Sequence, residues 1–268
     1  MEKEVISTVC VVDGQEIISR GSESAKSVEA QCYYENNNIE TVVVAEGIEV
    51  IEEYAFSNCN NLKTVVLPKS LKKIEAYAFS DCPKLKKIIL PENLETIEDH
   101  SFFNCGLKKV YIPASVKEIG ILAFAGNGPL KAIIVDENNS SYCSVNSVLY
   151  SKNKEIIYAV PQNKKAGTFK PDSNLKTVYG FAFAGCNKIK KVVFPEGMKE
   201  LGEKAFCGAL KIEEVQLPGT LETFGKDVFM GYGVASNRAN NKKGIIKGTS
   251  GSVAEKAAAE DKVPFVSI

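Results

Sequence analysis

A repeat with a period of about 23 residues is the feature that most limits what this chain can fold into. An Ala-Phe pair, or a close variant of it, recurs seven times, at intervals of 23, 23, 22, 59, 23 and 23 residues. The pairs are Ala55-Phe56, Ala78-Phe79, Ser101-Phe102, Ala123-Phe124, Ala182-Phe183, Ala205-Phe206 and Val228-Phe229. The long interval equals one period plus 36 residues, so it predicts an insertion within a repeat array.

Each copy of the repeat combines a strand pattern with a turn pattern. The copy at residues 71–91 ends in the pattern Leu-x-x-Ile-x-Leu, whose last two frame positions are two residues apart, which is the period of a half-buried strand. Pro91 follows and ends strand pairing, because proline has no N–H to donate. Earlier in the copy, apolar residues three to five positions apart favour a short extended piece and a helical or 3₁₀ turn. One copy is too small to bury its own apolar side, so stacked copies must share a core.

The repeat therefore predicts an α/β-type solenoid of about seven or eight coils of 22–23 residues, with strands on one face and short helical or 3₁₀ turns on the other. Residues 1–38 lack the frame and predict an N-terminal cap, made of a hairpin with an Asp13-Gly14 turn and a polar loop. The repeats span residues 39–232, interrupted at about 136–174 by a β-hairpin insertion after the fourth full copy. Residues 233–268 predict a C-terminal cap of strand, short helix and strand, in which Ser252 and Glu255 form a capping box.

Charge and composition argue against several classes of function. The 33 basic residues balance 33 acidic ones, so the net charge indicates neither nucleic-acid binding nor attraction to an anionic membrane. The chain has one histidine, His100, which excludes metal sites built from several histidines and argues against His-based catalysis. No apolar run reaches the 18 residues of a membrane-spanning helix. We therefore expect a protein that is not an enzyme, needs no cofactor or metal, and does not insert into membranes.

The cysteines and the histidine fit structural roles. Cys59, Cys82, Cys105 and Cys186 occupy one position of the repeat, and no C-x-x-C pair provides zinc spacing. We interpret them as small buried hydrophobic residues rather than as disulfide partners or metal ligands. The position of His100 holds tyrosine, leucine or lysine in other copies, which predicts a plain surface residue.

The outward positions of the strands form the candidate site. In Leu-x-x-Val-x-Leu the second, third and fifth residues point away from the core. They predict a lysine band beside an apolar stripe, ending in an acidic patch at Glu213 and Glu214. The band contains Lys63, Lys86, Lys87, Lys108, Lys109, Lys131, Lys190 and Lys191, and the stripe contains Val66, Ile89, Tyr111, Ile134 and Val193.

This face is interpreted as a protein-binding surface. Like charges on adjacent strands destabilise a sheet, and an exposed apolar row often marks a contact surface. An inert face is the alternative, because duplicated repeats inherit duplicated surface residues. Nucleic acid is disfavoured, since the band lacks arginine and only Tyr111 could stack on a base.

The repeat frame L-x-x-I-x-x-x-A-F-x-x-C-x-x-L-x-x-V-x-L-P resembles the BspA-type leucine-rich repeat from residue 39 to about 232. The resemblance implies a right-handed leucine-rich-repeat superhelix. Members of this family are mostly surface or secreted proteins of bacteria and some parasitic protists, and they are taken to act in adhesion or protein binding. The resemblance thus implies a protein ligand and a place at the cell surface or outside the cell. The N-terminus does not read as a signal peptide, so a cytoplasmic location is the alternative.

Alternatives to a binding role remain open. The chain could be a structural spacer or an intracellular scaffold module of a larger protein. Two copies also depart from the family frame. The fourth has Asn127 where cysteine is usual and Asp136 where proline is usual, and the sixth has Ala209 at the cysteine position. We expect these departures to weaken local regularity without changing the fold.

Overall fold

A computed structural model describes residues 5–13, 15–21, 26–231 and 244–268. The chain divides into two compact units. The first consists of Met1–Asn127 with Val135–Ser141, and the second of Gly128–Ile134 with Tyr142–Ile268. The fold is a β-solenoid of about ten turns with little helix, in which successive coils add parallel strands to shared sheets.

Two ladders build the first unit. In its described residues the strands are β1 (Val5–Val12), β2 (Gln15–Gly21), β3 (Ser27–Val28), β4 (Thr41–Val44), β5 (Val50–Ile51), β6 (Thr64–Val66), β7 (Lys73–Ile74), β8 (Thr96–Ile97), β9 (Lys109–Ile112) and β10 (Glu118–Ile119). One sheet has the order β2-β1-β4-β6, and the other has the order β10-β8-β7-β5-β3, while β9 belongs to neither of them. β1 pairs antiparallel with β2 and β4, whereas coils stack in parallel register, as Thr41 does on Thr64.

One side chain adds to the β1–β4 pairing that joins the N-terminal hairpin to the first coil. Asp13 follows β1 with a left-handed φ of 45°, and its carboxylate accepts hydrogen bonds from the N–H groups of Glu40 and Thr41, the latter at 2.8 Å. Gly14, the second residue of the expected turn, lies outside the described residues.

The second unit also has two ladders. Its strands are β11 (Ala132–Val135, whose last residue belongs to the first unit), β12 (Tyr142–Val145), β13 (Val148–Ser151), β14 (Ile156–Ala159), β15 (Ala166–Phe169), β16 (Thr177–Val178), β17 (Ile189–Val193), β18 (Glu200–Leu201), β19 (Glu214–Gln216), β20 (Thr223–Phe224), β21 (Ile245–Gly248) and β22 (Phe265–Ser267). The sheet orders are β12-β13-β14-β16-β18-β20 and β15-β17-β19-β21-β22, and β11 belongs to neither of them. β12, β13 and β14 are antiparallel neighbours, and β14 then pairs in parallel with β16.

Stacked aromatic rings fill the core of each unit. In the first unit a column runs through Tyr33, Phe56, Phe79, Phe102 and Phe124, with ring centroids 5.2, 5.3, 5.4 and 5.7 Å apart. In the second unit Phe183, Phe206 and Phe229 repeat the arrangement at 4.8 and 5.4 Å. The repeated phenylalanines are therefore direct neighbours, as stacking of the copies requires.

The predicted number of coils, seven or eight, is too low. The aromatic column includes Tyr33, whose coil has no Ala-Phe pair for a sequence frame to detect. Part of the insertion also forms a solenoid turn, because Ile156 and Ile157 of β14 pair in register with Thr177 and Val178. β21 and β22 extend the second sheet further at its C-terminal end.

The turns that carry the Ala-Phe pairs are not helical, so the predicted helical or 3₁₀ turns are wrong. The residue before each pair has a left-handed φ between 51° and 60°, which a right-handed helix cannot contain. These residues are Tyr54, Tyr77, His100, Leu122, Phe181, Lys204 and Asp227. The turn N–H groups donate to the next coil instead, as Phe56 does to the Ala78 carbonyl at 2.8 Å. Among the described residues, α1 (Val253–Glu260) is the only helix.

Two smaller expectations also change. The copy at residues 85–90 forms no strand, although it keeps the alternation: Ile88 and Leu90 are buried while Ile89 is exposed. At the start of α1, Ser252 is the N-cap residue but its side chain makes no cap hydrogen bond. The Glu255 carboxylate accepts from the N–H of Gly251 at 2.6 Å, so the reciprocal capping box is not formed.

Ser101 offers a test of the repeat register. It stands where most copies have alanine, its side chain is buried, and its Oγ has no hydrogen-bond partner among the described residues. Since an unpaired buried hydroxyl is unfavourable by about 1–3 kcal/mol, Ser101→Ala should raise the free energy of unfolding by about 1 kcal/mol in a urea titration. Ser80→Ala is the control, because Ser80 is equally buried but donates to Asp81 at 2.7 Å. A Ser101→Ala protein less stable than the wild type would contradict the register.

Candidate functional site

The outward side chains of the first unit follow from strand alternation. In β9, Lys109 and Tyr111 are exposed, whereas Val110 and Ile112 are buried. In β6, Val65 is buried between exposed neighbours. Successive side chains of a strand point to opposite faces, so each coil presents the same outward positions to solvent.

An exposed apolar row crosses this face. The apolar row consists of Val43, Val66, Ile89 and Tyr111, whose side chains are 38, 49, 69 and 48% exposed. Val43 and Val66 are direct partners in the parallel ladder, and Ile89 and Tyr111 hold the same repeat position in the next two coils. Sequence reasoning found three of the four and missed Val43, which the half copy at residues 39–44 contained.

Four lysines without ion pairs lie beside the apolar row. The lysine cluster consists of Lys86, Lys87, Lys108 and Lys109, all exposed, in two successive coils. Within the described part of the chain, none of the four has a carboxylate within 4.0 Å. Lys63, in the preceding coil, differs because its ammonium lies 2.7 Å from the Glu40 carboxylate. The cluster is thus a patch of positive charge that its own unit does not compensate.

Tyr111 is held by an acid at one end of the apolar row. Its hydroxyl donates a hydrogen bond to the Asp136 carboxylate. This bond, together with the negative charge of Asp136, raises the pKa of Tyr111 above its ordinary value. Asp136, which replaces the usual proline of the repeat, therefore restrains the ring of Tyr111 on the strand face.

Two of the corresponding lysines of the second unit are compensated, whereas Lys131 has no carboxylate within 4.0 Å among the described residues. Lys190 lies 2.6 Å from Glu213, and Lys191 lies 2.5 Å from Glu214, which also contacts Lys247 at 3.1 Å. Burial alone would raise the pKa of Glu214, but hydrogen bonds from the ammonium groups of Lys191 and Lys247 outweigh it and lower the pKa. The expected separate acidic patch is wrong, because these acids pair with the lysines of the adjacent coil.

The predicted site residues therefore fall into two groups. Those of the first unit lie together on one exposed face: Lys63, Val66, Lys86, Lys87, Ile89, Lys108, Lys109 and Tyr111. Those of the second unit are Ile134, Lys190, Lys191 and Val193. Ile134 and Val193 are only partly exposed. The exposed apolar row is confined to the first unit.

The thiols of the repeated cysteines donate hydrogen bonds to backbone carbonyl groups of the preceding coil. The thiols of Cys82 and Cys105 lie 3.2 and 3.0 Å from the carbonyl oxygens of Phe56 and Phe79. Burial raises the pKa of the Cys105 thiol to about 12, so the reactive thiolate is suppressed. Asn127 makes the same contact, because its amide nitrogen lies 2.8 Å from the Phe102 carbonyl. In these copies the position holds a buried hydrogen-bond donor, which the sequence frame alone did not reveal, whereas the sixth copy has the buried Ala209, which has no side-chain donor.

His100 is not the plain surface residue that the sequence predicted. It is half-buried, and its ring stacks on Tyr77 with centroids 4.6 Å apart, while Tyr77 stacks on Tyr54 at 4.7 Å. Burial lowers the pKa of His100, although the charge of Asp99 acts in the opposite direction. Tyr54, Tyr77 and His100 thus form a second aromatic column, outside the core.

Metal and membrane sites find no support in the described residues. No three His, Cys, Asp or Glu side chains in this part of the chain converge as a metal centre requires. Helix α1, the one helix among the described residues, is not long and apolar enough to cross a bilayer.

The parallel ladders, the 23-residue period and the stacked phenylalanines define a leucine-rich-repeat β-solenoid. The model of the BspA type leucine-rich repeat region matches residues 19–131 and 154–243 in six copies. The chain belongs to the BspA-type leucine-rich repeat family, as its repeat frame indicated. The family's repeat proteins typically serve as scaffolds or binding proteins.

Several solved bacterial structures share the fold. The chain is 26% identical to the pneumococcal vaccine antigen PcpA, with a TM-score of 0.65 over 84% of this chain and 72% of that one. It is 23% identical to a leucine-rich repeat protein of Eubacterium ventriosum, with a TM-score of 0.68 over 87% and 67% of the two chains. A leucine rich cell surface protein of Faecalibacterium prausnitzii is 18% identical, with a TM-score of 0.56 over 88% and 80%. No curated protein matches the sequence.

Proposed function

We propose that the strand face of the first unit binds a protein partner, and that the chain is a non-enzymatic binding module. The observation that carries this proposal is the apolar row, four exposed side chains at one repeat position beside the lysine cluster. Exposed apolar surface of this kind is unfavourable in water and is characteristic of interaction sites. The family supports the proposal, since leucine-rich repeats generally mediate protein interactions.

Adhesion at the bacterial cell surface or outside the cell is the setting that we propose. The support comes from relatives: one is described as a vaccine antigen and another as a cell surface protein. A cytoplasmic scaffold is the competing location. For the second unit, a spacer role is favoured by the ion pairs that neutralise Lys190 and Lys191 on its strand face.

A triple serine variant tests the binding face. Val66→Ser, Ile89→Ser and Tyr111→Ser together remove most of the apolar row, while the buried neighbours of these residues remain unchanged. Because a few buried apolar contacts carry most of an interface's free energy, we expect at least a tenfold loss of affinity, about 1.4 kcal/mol or more. The measurement is binding of the purified chain to an array of purified cell-surface proteins, followed by titration of each protein that binds.

The matched control replaces three exposed apolar residues of the second unit. It combines Tyr179→Ser, Met230→Ser and Val266→Ser, whose side chains are 39, 47 and 42% exposed. This control should bind like the wild type, and circular dichroism should show that both variants are folded. A triple variant of the first unit that folds and keeps full affinity for every bound protein would refute the proposal.

A further inference from the structure

The four ammonium groups of the lysine cluster repel one another, and no carboxylate of the described residues pairs with them. Lys86 and Lys108 share one repeat position, and Lys87 and Lys109 share the next, in coils that follow each other directly. The two coils are bonded directly, since the N–H of Lys108 donates to the Lys86 carbonyl at 3.3 Å, so the ammonium groups occupy equivalent positions of neighbouring coils. Like charges at opposed positions destabilise a sheet. No acidic side chain of the described residues forms an ion pair with any of the four.

The second unit shows how the same positions are neutralised. There Lys190 and Lys191 pair with Glu213 and Glu214 of the next coil, at the equivalent two positions. In the first unit the coil after Lys86 and Lys87 carries Lys108 and Lys109 instead. No ion pair of the described residues neutralises the lysine cluster, so its charge is available to carboxylates of a partner.

The spacing of charge and apolar surface constrains what supplies those carboxylates. Lys87 precedes Ile89 by two residues, and Lys109 precedes Tyr111 by two, with both members of each pair exposed. Residues two apart in an extended chain lie on one side, about 7 Å from each other. A partner segment in extended conformation presents its own alternate side chains at that same spacing.

From this juxtaposition we propose that the face binds an extended acidic segment of a protein, in which a carboxylate and an apolar side chain lie two residues apart. The inference rests on the proposed function and specifies the chemistry of the partner. A sulfated polysaccharide would satisfy the lysines but would leave Ile89, the most exposed member of the apolar row, uncovered. The combination of both features favours a protein.

The probe is a synthetic peptide with the sequence Glu-Ser-Leu-Ser repeated three times. The isotope-labelled full chain is titrated with it and followed by NMR, which detects dissociation constants up to the millimolar range. We expect chemical-shift changes at the Ile89 methyl groups and the Tyr111 ring, and an affinity that falls as salt is raised from 50 to 200 mM.

Two matched double variants locate the charges. Lys87→Gln with Lys109→Gln should weaken peptide binding at least tenfold and leave the melting temperature equal or higher, because the repulsion is relieved. Lys190→Gln with Lys191→Gln should bind the peptide like the wild type, since those lysines are already paired. Lys87→Glu with Lys109→Glu should instead bind the peptide in which lysine replaces glutamate.

Several results would overturn the inference. One is absence of binding at millimolar peptide. Another is equal binding of dextran sulfate or of a peptide in which serine replaces leucine, which would indicate a general polyanion site. A third is unchanged affinity of the Lys87→Gln, Lys109→Gln variant for proteins whose binding the triple serine variant abolishes. In that third case the proposed function would stand and only the acidic character of the partner would be refuted.

Discussion

Replacing Phe79 with alanine should lower the free energy of unfolding by about 3–5 kcal/mol, the range for removing a buried phenylalanine. Phe79 is fully buried, and its ring lies between those of Phe56 and Phe102, with centroids 5.3 and 5.4 Å away. The truncation therefore leaves a cavity and removes two stacked contacts that join three successive coils. Urea unfolding followed by circular dichroism measures the change.

Phe103→Ala is the matched control for this prediction. Phe103 belongs to the same unit and is only partly buried, and its ring meets His100 edge-on at 5.4 Å, outside the core column. We expect its removal to destabilise the protein by about 1 kcal/mol, because less apolar surface returns to water. Equal effects of the two substitutions would mean that the phenylalanine column does not hold the coils together.

Asn127→Ala is the second substitution for which we expect a large loss, about 2–4 kcal/mol of unfolding free energy, because buried backbone groups lose their partners. Asn127 is fully buried. Its amide nitrogen lies 2.8 and 2.9 Å from the carbonyl oxygens of Phe102 and Phe124, and its Oδ1 accepts from the N–H of Leu107 at 3.0 Å. The measurement is again a urea titration of the purified chain.

Asn127→Cys separates the hydrogen bonds from the packing. Cysteine is the residue of this repeat position in other copies, where Cys82 and Cys105 direct their thiols at the equivalent carbonyls. The cysteine variant should keep the contact to Phe102 and lose that to Leu107, so we expect about half of the loss seen with alanine. If cysteine is as destabilising as alanine, a hydrogen-bond donor is not what this position requires.

The period and the inward positions were predictable because they depend on residue type alone. Leu85, Ile88 and Leu90 hold the first, fourth and sixth positions of the strand frame, and the structure buries all three even though this copy forms no strand. The turns were not predictable in the same way. Tyr54 and Lys204 adopt a left-handed backbone conformation because the next coil accepts their N–H groups, a contact that no local propensity encodes.

The candidate site also has one property that the sequence predicts and one that it does not. Exposure of Val66, Ile89 and Tyr111 follows from alternation within one strand. The state of the lysines does not, because Lys108 and Lys190 have the same position in the frame. They differ in the side chains of the neighbouring coil: Lys190 forms an ion pair with Glu213, whereas Lys108 forms no ion pair with a carboxylate of the described residues.

By itself the sequence determined that this chain is a stack of short coils and which side chains face the core, because burial of apolar residues at a fixed period leaves no other arrangement. The tertiary structure decided which outward charges are compensated, where the left-handed turns lie, and that the exposed apolar row belongs to the first unit. Those properties arise from contacts between residues about 23 positions apart, and such contacts exist only when one coil lies on the next.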